Sequence, residues 1–84
     1  MDLPRIYFDT NDGDPEWGYE LKFSQSKKDI EAIGADIHDG IRVVIYMTDE
    51  LEMEAELKFE HELGYWKAIP DLSTIRYLDG NSPD

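Results

Sequence analysis

The chain has 84 residues, no cysteine, and twenty acidic against eight basic residues, which gives a formal net charge of −12. This length predicts one domain with a small core, and the absence of cysteine excludes a disulfide framework, a thiolate nucleophile and a thiolate metal site. The acidic balance argues against direct nucleic-acid binding through phosphates and against binding to an anionic membrane, since both need clustered lysine and arginine.

The sequence predicts neither a signal peptide nor a membrane-spanning segment. The N-terminus lacks the basic and then apolar run of a signal peptide, and no apolar run approaches the length of a membrane span. We therefore expect a cytoplasmic protein. We expect residues 1–78 to form a single small β domain, and the polar residues 79–84 to form a disordered C-terminal tail.

Two β-prone runs open the chain. Residues 5–8 form the first, and residues 17–23 alternate large apolar with small or charged residues, which is typical of a half-buried strand. Between them, residues 9–15 are rich in Asp, Asn, Gly and Pro, which favour turns. The pattern predicts a hairpin of these two strands joined by a long acidic loop.

A short helix follows the second run. Ser26 with Asp29 three residues later is typical of a helix N-terminus, and Ile30 with Ile33 places two apolar side chains on one face. We predict one short helical turn near residues 27–33, ending at the next glycine. Beyond it, residues 41–47 form a strand with apolar side chains on both faces, so we expect that strand to be central or covered on both sides.

The stretch 49–70 allows two interpretations. As a strand, residues 51–59 place every apolar side chain on one face and the charged ones on the other. As a helix, Leu51, Ala55, Phe59 and Leu63 form a stripe, and the composition is rich in helix formers. We favour the strand, because a helix leaves Met53 and Leu57 on the face opposite that stripe.

The strand interpretation continues as a hairpin. The loop is predicted at residues 60–64, with Gly64 at a position of positive φ, followed by a return strand that ends at Pro70. Trp66 and Ala68 are expected to return to the core. Residues 71–74 indicate a turn or a 3₁₀ element, and residues 75–78 a short closing strand.

These elements predict a mainly β fold, a small five-stranded antiparallel barrel or strongly bent sheet with one short helical turn. The run from His38 to Tyr46, in which Asp-Gly enters a Val-rich strand, resembles SH3-like small β-barrels, and the resemblance covers roughly residues 38–78. It implies architecture only. The paired-tyrosine motif and the Trp-Trp pair of peptide-binding SH3 domains are missing, so no binding residue is carried over.

The candidate site is a row of carboxylates with aromatic neighbours. On a strand, Glu52, Glu54 and Glu56 would lie roughly 6.6–6.8 Å apart on one face. Such a row could bind a basic protein surface, or it could protect an exposed strand from edge-to-edge pairing. The residues that we expect to bind a partner are Glu52, Glu54, Glu56, Tyr46, Tyr65 and Trp66.

Other functions fit the same sequence. The favoured hypothesis is a non-catalytic, acidic protein-interaction domain that binds a basic partner. One alternative is an inhibitor that mimics nucleic acid and blocks a DNA- or RNA-handling protein, and another is a small ligand-binding or enzymatic barrel that uses His38 or the aromatic cluster. We expect no catalytic residue, metal or cofactor. The oligomeric state, the partner and the cellular process stay open.

The acidic loop and the two histidines contain residue types that can bind metal ions. Asp9 and Asn11 fit the first two ligand positions of a calcium loop, but Gly13 comes one place early. Neither His38 nor His61 has a second His or Cys at zinc-ligand spacing. A solvated turn is the favoured interpretation of the loop.

Overall fold

The computed structural model describes residues 3–77, and within them the chain forms seven strands, one α-helix and two 3₁₀ turns. The strands are β1 Arg5–Tyr7, β2 Gly13–Asp14, β3 Gly18–Glu20, β4 Arg42–Met47, β5 Leu51–Glu60, β6 Tyr65–Pro70 and β7 Arg76–Tyr77. The helix α1 spans Ser24–Ile33, and the 3₁₀ turns are Gly34–Asp36 and Leu72–Thr74. The predicted mainly β fold is confirmed. The predicted tail at residues 79–84 lies outside the described residues.

The strands form one sheet in the order β1-β4-β5-β6-β3-β2, with β7 paired to β5. Between residues 3 and 77 no ladder joins the two ends of this order, so the sheet is open rather than a closed barrel. It is nevertheless curved, because Phe8 beyond β1 contacts Tyr19 of β3, with ring centres 4.9 Å apart. Two details differ from the prediction. The strands number seven rather than five, and β1 pairs with β4 in parallel.

The strand β5 is the centre of the sheet. It pairs with β4 over its first six residues and, on its other side, with β6 over its last six. The short β7 pairs with the two residues at its start. The strand interpretation of this stretch is therefore confirmed and the helix alternative is wrong. Gly64, with φ 77°, lies in the predicted β5–β6 hairpin loop.

The core lies against one face of the sheet. Alternate residues of β5, namely Met53, Ala55 and Leu57, are buried, and so are Val43 and Ile45 of β4. Because directly opposed residues share a face, the registers Val43 to Ala55 and Ile45 to Met53 place these side chains together. The expected return of β6 to the core is also seen, with Ala68 buried and Trp66 packed against the buried cluster.

The predicted hairpin of the first two runs is wrong. The first run pairs in parallel with β4, with Ile6 opposite Ile45, whereas the second run pairs with β2 and β6. This arrangement places the Ile6 side chain among the buried residues beside Ile45. The two runs still meet, through the contact of Phe8 with Tyr19 rather than through backbone hydrogen bonds.

The helix lies along the outer edge of β1. The Ser26 hydroxyl donates to the Tyr7 carbonyl oxygen at 2.6 Å, and the Tyr7 amide donates to Asp29 Oδ2 at 2.9 Å. The prediction that Ser26 caps the helix is therefore wrong, since it is buried inside α1 and satisfies a strand edge instead. The helix is longer than predicted and ends where expected, at Gly34 with φ 70°. No helix within residues 3–77 has the length and apolar character needed to cross a membrane.

Candidate functional site

The predicted carboxylate row lies on the face of the sheet opposite the core, which we call the outer face. Its residues alternate with the buried Met53 and Ala55 along β5. Their cross-strand neighbours on β4 are Tyr46 for Glu52, Val44 for Glu54 and Arg42 for Glu56. The row therefore has the regular spacing expected of one strand face.

Glu52 is the least accessible member of the row. Its carboxylate forms ion pairs with Arg5 from β1 and with Arg76 from β7, the latter at 3.7 Å. Its side chain is 15% exposed. Two guanidinium groups thus compensate its charge, and little of it is open to another molecule.

Arg42 occupies the middle of the outer face and contacts several carboxylates. Its Nε donates to Glu54 at 2.9 Å and an Nη donates to Asp71 at 2.7 Å. Both hydrogen bonds raise the pKa of Arg42, and the one to Asp71 has the larger effect. The pKa of Asp71 is lowered, first by its hydrogen bond from the Ser73 side chain and next by that from Arg42.

The two remaining glutamates of the row are open to solvent. The side chains of Glu54 and Glu56 are 41% and 60% exposed. Glu56 lies 4.0 Å from Arg42, which already has closer partners, so its charge is the least compensated of the three. The accessible part of the row therefore consists of Glu54 and Glu56.

Tyr46 is held beside the row. Its hydroxyl donates to Asp29 Oδ2 at 2.9 Å, and the Arg5 guanidinium lies 5.0 Å from its ring centre. Burial, followed by the hydrogen bond to Asp29, raises the pKa of Tyr46. The half-buried ring is thus fixed in position next to Glu52.

Tyr65 lies on the same face at the other end of β5, opposite Glu60. About 26 Å of strand separates Glu52 from Glu60, so the two tyrosines mark opposite ends of the outer face. Loss of hydration, and next a hydrogen bond with Glu20, raises the pKa of Tyr65. The Lys22 ammonium group lies 5.9 Å from its ring centre.

Trp66 lies on the opposite face of the sheet from the glutamates. It pairs with Phe59, and together with His61 and Asp39 these residues line a shallow groove of about 320 Å³, which we call the Trp66 groove. Sequence reasoning did not associate the other three residues with Trp66. The expected return of Trp66 to the core could have revealed Phe59, because it requires Trp66 to pair with a residue on the apolar face of β5. A loop at residues 60–64 pairs Trp66 with Lys58, whereas the observed pairing of Glu60 with Tyr65 brings Phe59 opposite Trp66.

The acidic N-terminal loop uses its carboxylates to form turns. Asp9 Oδ1 accepts the Asn11 amide at 2.9 Å, and Asp14 Oδ1 accepts the amides of Glu16 and Trp17. Across residues 3–77, no group of three or more His, Cys, Asp or Glu side chains is placed to hold a metal ion. His38 is exposed, with Nδ1 2.7 Å from the Asp36 carbonyl oxygen.

The six residues predicted to bind a partner are therefore found in three places. Glu52, Glu54, Glu56 and Tyr46 lie together on the outer face, Tyr65 lies at its far end, and Trp66 lies in a separate groove. The chain matches no protein-family model, no curated protein and no solved structure.

Proposed function

We propose that the protein is a non-catalytic interaction domain that binds a basic protein surface. The supporting observation is that most of its own basic side chains are already paired with its own carboxylates. Within residues 3–77, five of the eight basic residues form ion pairs with carboxylates, namely Arg5, Lys22, Arg42, Lys67 and Arg76. With twenty acidic residues in the chain, the surface keeps a large excess of negative charge. Such a field attracts and orients a positively charged partner.

The contact surface that we propose is the outer face around Glu54, Glu56 and Tyr46. A guanidinium or ammonium group of the partner would bind Glu56, because Arg42 is already engaged by Glu54 and Asp71. The fixed ring of Tyr46 would add apolar contact area at the edge of the row.

The same charge would also suit an inhibitor that mimics nucleic acid, but the outer face supports that function less well. A phosphate backbone has no cation within it, whereas Arg42 lies between Glu54 and Asp71. The charges of the glutamate row are partly compensated by arginines of the same chain. This surface is therefore better suited to bind one basic side chain than to imitate consecutive phosphates.

The proposal can be tested with isotope-labelled protein titrated with a short peptide rich in lysine and arginine. We expect amide shifts at Tyr46, Glu54 and Glu56, and an affinity that falls as salt rises. Glu56→Lys should weaken binding by about fivefold. Glu16→Lys, an equal charge change in the exposed N-terminal loop, is the matched control.

Two outcomes would contradict the proposal. If the two variants weaken binding equally and the shifts spread over the whole surface, only net charge acts and the outer face is not a site. If the basic peptide does not bind even at low salt, the protein is not a domain for basic partners.

A further inference from the structure

The Trp66 groove has the chemistry of a cation site. Three of its four lining residues, Phe59, His61 and Trp66, are aromatic, and the fourth is the carboxylate of Asp39. The faces of aromatic rings carry negative potential, so rings and carboxylate attract the same kind of ligand. Among residues 3–77, no lysine or arginine lines this groove.

The groove exists because the β5–β6 hairpin extends past β4. The ladder of β5 with β4 ends at Glu56, whereas its ladder with β6 continues to Glu60. Phe59 and Trp66 therefore lie on the core side of a part of the hairpin that β4 does not reach. Each side chain remains only half-buried.

The groove is held in place before any ligand arrives. Phe59 and Trp66 are cross-strand neighbours with ring centres 5.1 Å apart, and the ring centres of Phe59 and His61 are 4.9 Å apart. Asp39 Oδ1 accepts the Phe59 amide at 2.8 Å, which places the carboxylate at the rim. Its second oxygen has no partner among residues 3–77. Binding would therefore require little rearrangement.

We propose that the Trp66 groove binds a lysine or arginine side chain of a basic partner protein. The identity of the partner rests on the proposed function, while the cation preference rests on the groove itself. The aliphatic part of the side chain would pack on Phe59 and Trp66, and its charged end would reach Asp39. The net charge of −12 favours a cation over an anion there. The domain would then contact its partner through two faces.

Trp66 fluorescence provides a direct test. Trp17→Phe leaves Trp66 as the only tryptophan. This variant is titrated with a short blocked peptide that contains arginine, and with the same peptide containing citrulline, a neutral group of the same shape. We expect a saturable change in Trp66 emission and about fivefold weaker binding of the citrulline peptide.

Variants of the groove separate charge from structure. Asp39→Asn keeps an oxygen for the Phe59 amide but removes the charge, and His61→Ala removes an exposed ring. In the Trp17→Phe background each should weaken arginine-peptide binding by about threefold or more. Leu63→Ala, an exposed side chain in the same hairpin loop, is the control and should bind unchanged. Circular dichroism confirms that each variant is folded.

Failure of this inference can be told apart from failure of the proposed function. If both peptides bind equally, or if both groove variants bind arginine like the control, the groove is not a cation site. If the lysine- and arginine-rich peptide shifts only outer-face amides and leaves Trp66 unchanged, the groove has no role, and the interaction domain stands. If the arginine peptide perturbs Trp66 while Glu56→Lys has no effect on binding, the groove is a cation site and the outer face is not the contact surface.

Discussion

The ammonium group of Lys67 lies 4.0 Å from the centre of the Trp17 ring and 2.7 Å from a carboxylate oxygen of Glu60. Lys67 is only 7% exposed. A lysine removed from water to this extent is stable only where other groups replace its hydration. Trp17 precedes β3, so this contact fastens the β2–β3 turn to the outer face of β6.

Removal of the Trp17 ring that covers Lys67 should destabilise the domain. We expect Trp17→Ala to lower the free energy of unfolding by about 1–2 kcal/mol, and Trp17→Phe to lower it by less, since a phenyl ring retains part of the cation contact. Urea denaturation of Trp17→Ala, Lys67→Met and the double variant measures the coupling, expected at about 0.5–1 kcal/mol. Additive effects would show that the ring and the ammonium group do not interact.

The hydroxyl of Ser26 should contribute to stability far more than its place in a helix suggests. Ser26→Ala leaves the carbonyl group of the half-buried Tyr7 without its donor, which should cost about 1–3 kcal/mol. Ser24→Ala, an exposed change in the same helix, is the control and should stay within about 0.5 kcal/mol of the original protein. Denaturant unfolding measures both. Similar small effects would mean that the hydrogen bond from Ser26 to Tyr7 does not stabilise the edge of β1.

Asp71 should make stability depend on pH in the acid range. Its pKa in the folded protein lies below the ordinary value of 3.8, so folding favours the ionised form. Its contribution is therefore complete above the unfolded-state pKa and is lost as the pH falls through the lower folded-state value. The gap in melting temperature between the original protein and Asp71→Asn should be constant from neutral pH to about pH 5 and should close in stronger acid.

A control separates this effect from the overall charge. Glu16→Gln removes one negative charge from an exposed loop that has no arginine contact within the described residues. Its melting temperature should follow that of the original protein through the acid range. A gap for Asp71→Asn that persists unchanged in strong acid would exclude an ionised Asp71 as its source.

Gly13 is required by the close approach of two strands. A Cβ atom there would lie 2.1 Å from the Gly18 carbonyl oxygen, and φ is 150°. Gly13→Ala should therefore destabilise the β2–β3 pair by about 3 kcal/mol or more. Gly64→Ala meets open space, with only the strain of φ 77°, and should cost about 1 kcal/mol. If the two variants lose equal amounts of melting temperature, the backbone at Gly13 does not lie too close to Gly18 for a side chain.

The sequence predicts local structure well where a pattern repeats along one strand. In β5, the placement of Met53 and Leu57 distinguishes strand from helix. Side chains return to the same face every two residues in a strand and every 3.6 residues in a helix. Pairing between distant strands has no such local signal. The parallel pairing of β1 with β4 depends on how the side chains of β1 pack against those of β4. The residues next to β1 in the sequence give no indication of that pairing.

The candidate site was less predictable for the same reason. The glutamate row follows from the alternation in β5, but its compensation by Arg5 and Arg42 depends on the order in which β1, β4 and β5 lie in the sheet. The predicted hairpin loop is one residue longer than the observed one, and that difference would place Trp66 on the outer face instead of on the core side where its ring was expected. Ser26 matches a cap by residue type, where its hydroxyl oxygen would accept a backbone amide, but at the nearby edge of β1 the hydroxyl instead donates to the Tyr7 carbonyl oxygen.

The pairing of β1 with β4 also bears on how the domain folds. Met47 meets Leu51 across a short turn, whereas Arg5 must find Val44 from the far end of the chain. Closing the longer loop costs more entropy, so we expect β4, β5 and β6 to form first and β1 with α1 to dock last. Native-state hydrogen exchange should then show earlier opening at Ile6 than at Ala55. Equal protection would instead indicate one cooperative unit.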